Sequence, residues 1–299
     1  MKDLIEACRP KQWTKNLLVF AAPFFSFTTS FDIWYTSIIC FISFCLVSSS
    51  IYLINDTIDI NSDKRHPYKK FRPIASGRIL IKQAIFYSIL IFGASLCIAF
   101  SINNTSAYII LIYFLIQIAY CIKLKKEPIL DICCISSGFL LRAIAGVKSS
   151  NFDFSPWFLL SVGLLALFLA IEKRKAELQN VIDMKIVTRK SLNRYSLSML
   201  NRAESTVSTS AFMSYSLWAA GHSINGSPKG AMIISIPFVL LGIFRYQLIT
   251  DPKERKKREI HNPNINPEKP EEILLSDKGI LLSIVGWLLS IALIGFLKY

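Results

Sequence analysis

Residues Trp34 to Arg78 read WYTSIICFISFCLVSSSIYLINDTIDINSDKRHPYKKFRPIASGR. An apolar run centred near residue 44 gives way, without a linker, to three aspartates and then to a dense basic segment. A helix needs roughly 20 mostly apolar residues to cross the hydrocarbon core of a bilayer, and this one ends in groups that require water or a polar ligand. The same alternation runs through all 299 residues, which carry 34 Lys and Arg against 20 Asp and Glu, a formal charge of +14, while 53% of residues are hydrophobic. Mean hydropathy is +0.44. A soluble domain is about a quarter charged; here the figure is 18%, which excludes an ordinary soluble enzyme. A pI near 9.5 can mark a nucleic-acid-binding face, but apolar runs of spanning length separate the basic clusters, so no nucleic acid is expected and the membrane is.

Nine candidate spans are centred near residues 22, 44, 91, 114, 138, 164, 215, 239 and 288. The expected fold is therefore all-α, a polytopic bundle of nine transmembrane helices forming a single integral membrane domain over residues 1–299. The first apolar stretch, Trp13 to Phe27, contains Pro23 and shows no convincing cleavage site, so it reads as a membrane helix and not as a signal peptide. Short loops rich in Lys and Arg stay in the cytoplasm. With nine spans, segments 1–16, 55–82, 122–128, 172–204 and 245–278 fall on one side and hold 4, 7, 3, 8 and 8 basic residues, thirty of the 34. That partition puts the N-terminus and the catalytic loops (about 55–82, 122–128, 172–204 and 251–278) in the cytoplasm. Lys11, Lys126 and Lys175 read as anchors of that orientation, and DPKERKKREI (Asp251 to Ile260) as a basic patch facing lipid, with a partner-docking tail as the weaker alternative. Cys8, Cys40, Cys45, Cys97, Cys121, Cys133 and Cys134 fall mostly inside apolar runs and form no CxxC pair, so they read as free thiols.

Asp56, Asp59 and Asp63 are spaced i, i+3, i+7, which on a continuing helix lines three carboxylates along one face. Acids at a helix C-terminus oppose the macrodipole, so three of them there call for a cation. Mg²⁺ suits such a row, because it takes carboxylate and water oxygens and commonly shares its shell with substrate phosphates. Lys64, Arg65, Lys69, Lys70 and Arg72 follow within nine residues of Asp63, and a metal-bridged diphosphate would satisfy both sets of groups. His66, before Pro67, is as well explained by shaping the turn as by chemistry. Arg142 lies inside a span, where an ionisable residue usually faces a cavity or a partner; it is expected to reach the polar site, with pairing to Asp131 as the alternative.

NDxxDxxxD at the end of the second span, within a nine-helix chain, resembles the UbiA-type intramembrane prenyltransferase superfamily. The resemblance extends over RPKQWTKN (Arg9 to Asn16), DKRHPYKKFRPIASG (Asp63 to Gly77), YCIKLK (Tyr120 to Lys125) followed by Asp131, GFLLRAIAG around Arg142, SPWFLL, EKRKAEL (Glu172 to Leu178) and PEEILLSD. Within the superfamily it is similar to the branch that moves 5-phosphoribose from phosphoribosyl diphosphate onto a polyprenyl phosphate. That resemblance implies Mg²⁺ held by Asn55, Asp56, Asp59 and Asp63, with the three aspartates catalytic. It also implies substrate contacts from Lys15, Asn16, Asn55, Lys69, Arg72, Tyr120, Lys123, Lys125, Arg142, Lys173 and Arg174. The setting implied is the cytoplasmic face of a bacterial inner membrane, and the product a lipid-linked pentose for cell-envelope polysaccharide. Where general prenyltransferases of the superfamily carry a second Asp-rich motif, this chain has EKRKAEL, with Glu172 and Glu177 only. The segment NPNINPEKPEE departs from the family's glycine-rich approach, which leaves Glu271 without an assigned role. The enzymatic alternative is transfer of an isoprenoid from its diphosphate to an aromatic acceptor. A transporter or flippase is disfavoured, because ionisable residues gather on one face and few lie at the midplane. Oligomerisation stays open.

Overall fold

A computed structural model describes residues 2–66, 68–150, 152, 155–184, 190–221, 231–251, 254, 273, 274 and 276–298. The longer elements among them are all helices. They are α1 (Lys2–Cys8), a 3-10 helix (Pro10–Phe20), α2 (Ala21–Phe25), α3 (Phe31–Ile58), α4 (Ile60–Arg65), α5 (Ile81–Ile102), α6 (Asn104–Ile122), α7 (Leu130–Ser150), α8 (Pro156–Met184), α9 (Leu197–Ala220), α10 (Ile236–Thr250) and α11 (Lys278–Lys298), with short 3-10 turns between several of them. Seven are long and apolar enough to cross a membrane: α3, α5, α6, α7, α8, the run Met232–Thr250 that contains α10, and α11. The chain is thus a multi-pass membrane protein.

The other two expected spans take different forms. Residues 10–25 are an 11-residue 3-10 helix followed by the five-residue α2, with Pro10 opening the first and Pro23 inside the second. Proline withholds an amide donor and fixes φ, which favours this interrupted winding over one uniform helix. The span expected near residue 215 is α9, which at 24 residues is long enough. Its Ser and Thr residues between Ser205 and Ser216 make it too polar to count by composition. All seven cysteines are free thiols, as expected.

The described residues form two compact units, Met1–Lys125 with Ser137–Asp153, and Lys126–Ser136 with Phe154–Tyr299. In the first, α3 packs on α5 through reciprocal serine pairs. Ser43 and Ser95 each donate to the other's carbonyl (2.9 and 2.8 Å), as do Ser50 and Ser88 (2.9 and 3.2 Å). Lipid tails are as apolar as leucine, so small residues and interhelical hydrogen bonds, with close packing, replace the hydrophobic drive. Val19, Phe44, Val47, Ile110 and Ala145 fill the core beside them. Gly146 meets the 3-10 helix so closely that an added Cβ would lie 2.0 Å from the Val19 carbonyl oxygen. Gly146→Ala is expected to cost about 1–3 kcal/mol, read as a fall of several degrees in the thermal midpoint of the purified protein. An unchanged midpoint would show that these two backbones part freely.

In the second unit, Phe168, Ile243, Tyr246 and Ile280 make one core cluster, and Ile132, Ile171, Tyr195 and Leu200 another. Tyr215 ties three elements together, with its hydroxyl 2.6 Å from Ser235 Oγ and accepting from Trp287 Nε1 at 2.8 Å. Trp287 therefore spends its N–H inside the protein.

The 28 residues of α3 are about 42 Å long at 1.5 Å per residue. A hydrocarbon core is about 30 Å thick, so α3 is longer than a crossing requires. The site is built at its last turn, from Asn55 to Ile58.

Candidate active site

The aspartate row does not ride on one continuing helix. α3 stops at Ile58, Asp59 takes φ −88° and ψ 4°, and α4 begins at Ile60. The Asp59 and Asp63 amides bond to the Asn55 and Asp59 carbonyls at 2.9 and 2.8 Å, so the break is a turn in a nearly continuous ladder. It divides the carboxylates. Asp56 and Asp63 are 2% and 4% exposed, whereas Asp59 is more open. Beyond α4, His66 Nδ1 accepts from the Tyr68 and Lys69 amides at 3.2 and 3.4 Å, which gives it the turn-shaping role.

Each carboxylate carries an internal cation. Arg72 Nη1 lies 2.6 Å from Asp63 Oδ2 and 3.2 Å from Asp56 Oδ1. Arg9 Nη2 reaches the same Asp56 oxygen at 2.5 Å, and Lys125 Nζ reaches Asp59 Oδ1 at 2.5 Å. Lys125 comes from the 3-10 turn Leu124–Lys126 and is buried. Arg9 is the residue that sequence reasoning missed. Its guanidinium carbon sits 4.8 Å from the centroid of the Tyr52 ring, at cation–π distance. Its backbone is left-handed at φ 52° and ψ 62°, just before Pro10. A non-glycine residue there costs roughly 1–2 kcal/mol, so the surrounding contacts hold Arg9 in place against strain. Tyr52 lies one helical turn before Asp56, and that spacing was the available signal.

Asn55 is half-buried beside this cluster, as are Lys15, Lys69 and Tyr120 elsewhere in the same unit; Lys123 caps α6 and is exposed. Asn16 and Arg142 form a separate buried network. Arg142 Nε donates to Asn16 Oδ1 and Nη2 to the Tyr113 hydroxyl, both at 2.7 Å, and Tyr113, Phe139 and Phe44 surround the guanidinium. Asn16 Nδ2 also donates to Cys45 Sγ at 3.3 Å. Among the described residues of this unit, Arg142 therefore pairs with Asn16 and Tyr113 and not with the aspartate cluster. Asn16 is fully buried, and its polar atoms are committed to this network.

Asp131 has its own partners in the second unit. Arg174, fully buried, donates from Nε to Asp131 Oδ2 at 2.6 Å and from Nη1 to Glu177 Oε2 at 2.5 Å. The Tyr195 hydroxyl donates to Asp131 Oδ1 at 2.7 Å and accepts from the Ile129 amide at 2.6 Å. Burial, with the neighbouring Asp131 charge, pushes the Tyr195 phenol well above its ordinary range, so it stays a donor. In this geometry the guanidinium of Arg174 is ion-paired with two buried carboxylates. Lys173, next to it on α8, is half-buried. Lys175 bridges Glu172 at 2.8 Å and Glu204, so it is an internal counter-ion where an anchor was expected. Glu172 Oε2 is buried without a hydrogen bond.

Among the described residues no three acidic, His or Cys side chains converge closely enough to hold a metal ion as they stand. The chemistry of the first cluster nevertheless fits one. Its donors are carboxylate oxygens, which suit a hard cation. Two of them share a single cationic nitrogen, Arg72 Nη1, which marks where positive charge is most favoured.

The profile of the UbiA prenyltransferase family matches residues 17–262. The chain belongs to the UbiA prenyltransferase family. It is 37% identical to the decaprenyl-phosphate phosphoribosyltransferase of Mycolicibacterium smegmatis, over 96% of this chain and 91% of that protein. The protein of the same description from Corynebacterium glutamicum is 34% identical, over 97% and 86%. In fold, this UbiA-family chain is similar to a UbiA homologue from Archaeoglobus fulgidus bound to GPP and Mg²⁺, with a TM-score of 0.70, 17% identity and 99% of each chain covered.

Proposed function

We infer that this protein transfers 5-phosphoribose from phosphoribosyl diphosphate to a polyprenyl phosphate of decaprenyl type. Diphosphate is released at the cytoplasmic face of a bacterial inner membrane, and the lipid-linked pentose serves cell-envelope polysaccharide synthesis. The observation that carries this reading is identity of 37% and 34%, over nearly the whole chain, with two bacterial proteins named for that reaction. The proposed topology has nine crossings with the N-terminus in the cytoplasm, and it rests on the partition of basic residues among the loops.

Asn55, Asp56, Asp59 and Asp63 would hold Mg²⁺, which supplies charge neutralisation for a diphosphate leaving group when bound. Arg72 and Lys125, with Lys15, Lys69 and Lys123, take the remaining phosphate oxygens of donor and acceptor and hold the two anions together. An oxygen of the lipid phosphate attacks C1 of the ribose from the face opposite the diphosphate. The new C1–O bond forms as the C1–O bond to diphosphate breaks, and the electron pair leaves with diphosphate. The ribose passes through an oxocarbenium-like state and C1 inverts. A phosphate monoester is already anionic at neutral pH, so no general base is required, and positioning with electrostatics does the catalysis.

The test is to incubate purified protein with Mg²⁺, decaprenyl phosphate and phosphoribosyl diphosphate labelled in the ribose, and to follow label into an organic-extractable lipid. EDTA-sensitive transfer is expected. No transfer, with a labelled prenyl diphosphate consumed on an aromatic acceptor, would overturn the reading in favour of isoprenoid transfer.

A further inference from the structure

The aspartate cluster is already neutralised from within. Asp56 is held by Arg9 and Arg72, Asp63 by Arg72 and Asp59 by Lys125, at 2.5 to 3.2 Å. The two innermost carboxylates are almost fully buried, and Lys125 is buried as well. A dication that took these oxygens alone would strand two guanidiniums and an ammonium close together, partly desolvated and without partners, which is strongly unfavourable. An anion that arrived with the metal would re-pair them. Guanidinium and ammonium groups prefer phosphate oxygens as readily as carboxylates, and arginine adds bidentate geometry.

Building on the reading above, we propose that Arg9, Arg72 and Lys125 form an electrostatic interlock that couples metal binding at the aspartates to diphosphate binding. The divalent ion binds weakly alone and tightly with a diphosphate. Arg9, which opens the RPKQWTKN segment but had no role assigned to it, gives up Asp56 to the metal and turns to a diphosphate oxygen, guided by the Tyr52 ring on which it rests. The consequence is ordered chemistry. The carboxylates stay occupied until a ligand bearing adjacent phosphates is present, so the site does not sequester free divalent ions.

The experiment uses the full chain in detergent or nanodiscs, Mn²⁺ as the paramagnetic probe and inorganic pyrophosphate as the anion, with bound Mn²⁺ read by electron paramagnetic resonance. Because coupling is reciprocal, pyrophosphate is expected to tighten Mn²⁺ binding about tenfold or more, and Mn²⁺ to tighten pyrophosphate equally. Arg9→Gln is expected to bind Mn²⁺ alone several-fold more tightly than wild type and to lose most of the pyrophosphate effect, while Arg9→Lys restores it in part. Lys125→Gln, on a different element, should shift in the same direction, so the inference does not depend on one variant folding. Equal Mn²⁺ affinity of the wild type with and without pyrophosphate would overturn it. So would weaker Mn²⁺ binding by Arg9→Gln under both conditions, because a merely structural Arg9 predicts that loss. Coupling found in a protein that transfers no phosphoribose would sustain the interlock and remove the proposed reaction; transfer without coupling would do the reverse.

Discussion

Asp63→Asn is expected to lower phosphoribosyl transfer by about 10²–10³-fold, the range seen when one preorganised electrostatic group is removed from an active site, with the protein still folded. Asp63 is 4% exposed and receives Arg72 Nη1 at 2.6 Å. Asparagine has nearly the same shape and keeps a carbonyl oxygen for that N–H, so the turn that follows α4 retains its main tie. What it loses is a full negative charge at the point where positive charge is focused. Asp56→Asn should behave alike, since its Oδ1 meets both Arg9 and Arg72. Asp59→Asn removes a charge that is more open to water and, among the described residues, paired with Lys125, and a smaller loss is expected there. Initial rates of labelled lipid formation at saturating Mg²⁺ provide the measurement, with thermal midpoints as the control. Wild-type turnover by Asp63→Asn in a folded protein would remove the carboxylates from the chemistry.

Spans α3, α5, α6, α7, α8 and α11 were legible because lipid imposes length and composition together, and their sequences satisfy both. The break at Asp59 was not. The i, i+3, i+7 spacing of the aspartates is what a continuing helix gives, and nothing local in TIDINSD signals a turn that still brings Asp56 and Asp63 to one guanidinium. The aspartates themselves were legible as a charge pattern, while their partners were set by distance in space. Arg9 is 47 residues from Asp56, and Lys125 is 66 from Asp59. The basic residues of EKRKAEL show the limit of the positive-inside argument most clearly. That rule counts charges by the side on which they lie, and it cannot separate an anchor such as an exposed lysine from a counter-ion such as Lys175, which sits between two glutamates of different helices.

Arg174→Met is expected to be among the most destabilising single substitutions in the chain, at about 3–5 kcal/mol, because it removes the cation shared by two buried carboxylates. Arg174 and Asp131 are both fully buried and Glu177 nearly so, which means water cannot take over the lost contacts. Arg174→Lys should recover only part of the loss, since an ammonium is a point donor and lacks the fork that lets Nε face Asp131 while Nη1 faces Glu177. The informative variant is the triple change Arg174→Met, Asp131→Asn and Glu177→Gln. If Arg174 is a counter-ion, removing both acid charges along with it should restore most of the stability, because a buried ion pair replaced as a whole is often close to neutral. The Tyr195 hydroxyl can still donate to the Asn oxygen in that variant. Thermal midpoints in one detergent rank the four proteins. A triple variant as unstable as Arg174→Met would show that the guanidinium contributes packing or a ligand contact beyond charge balance.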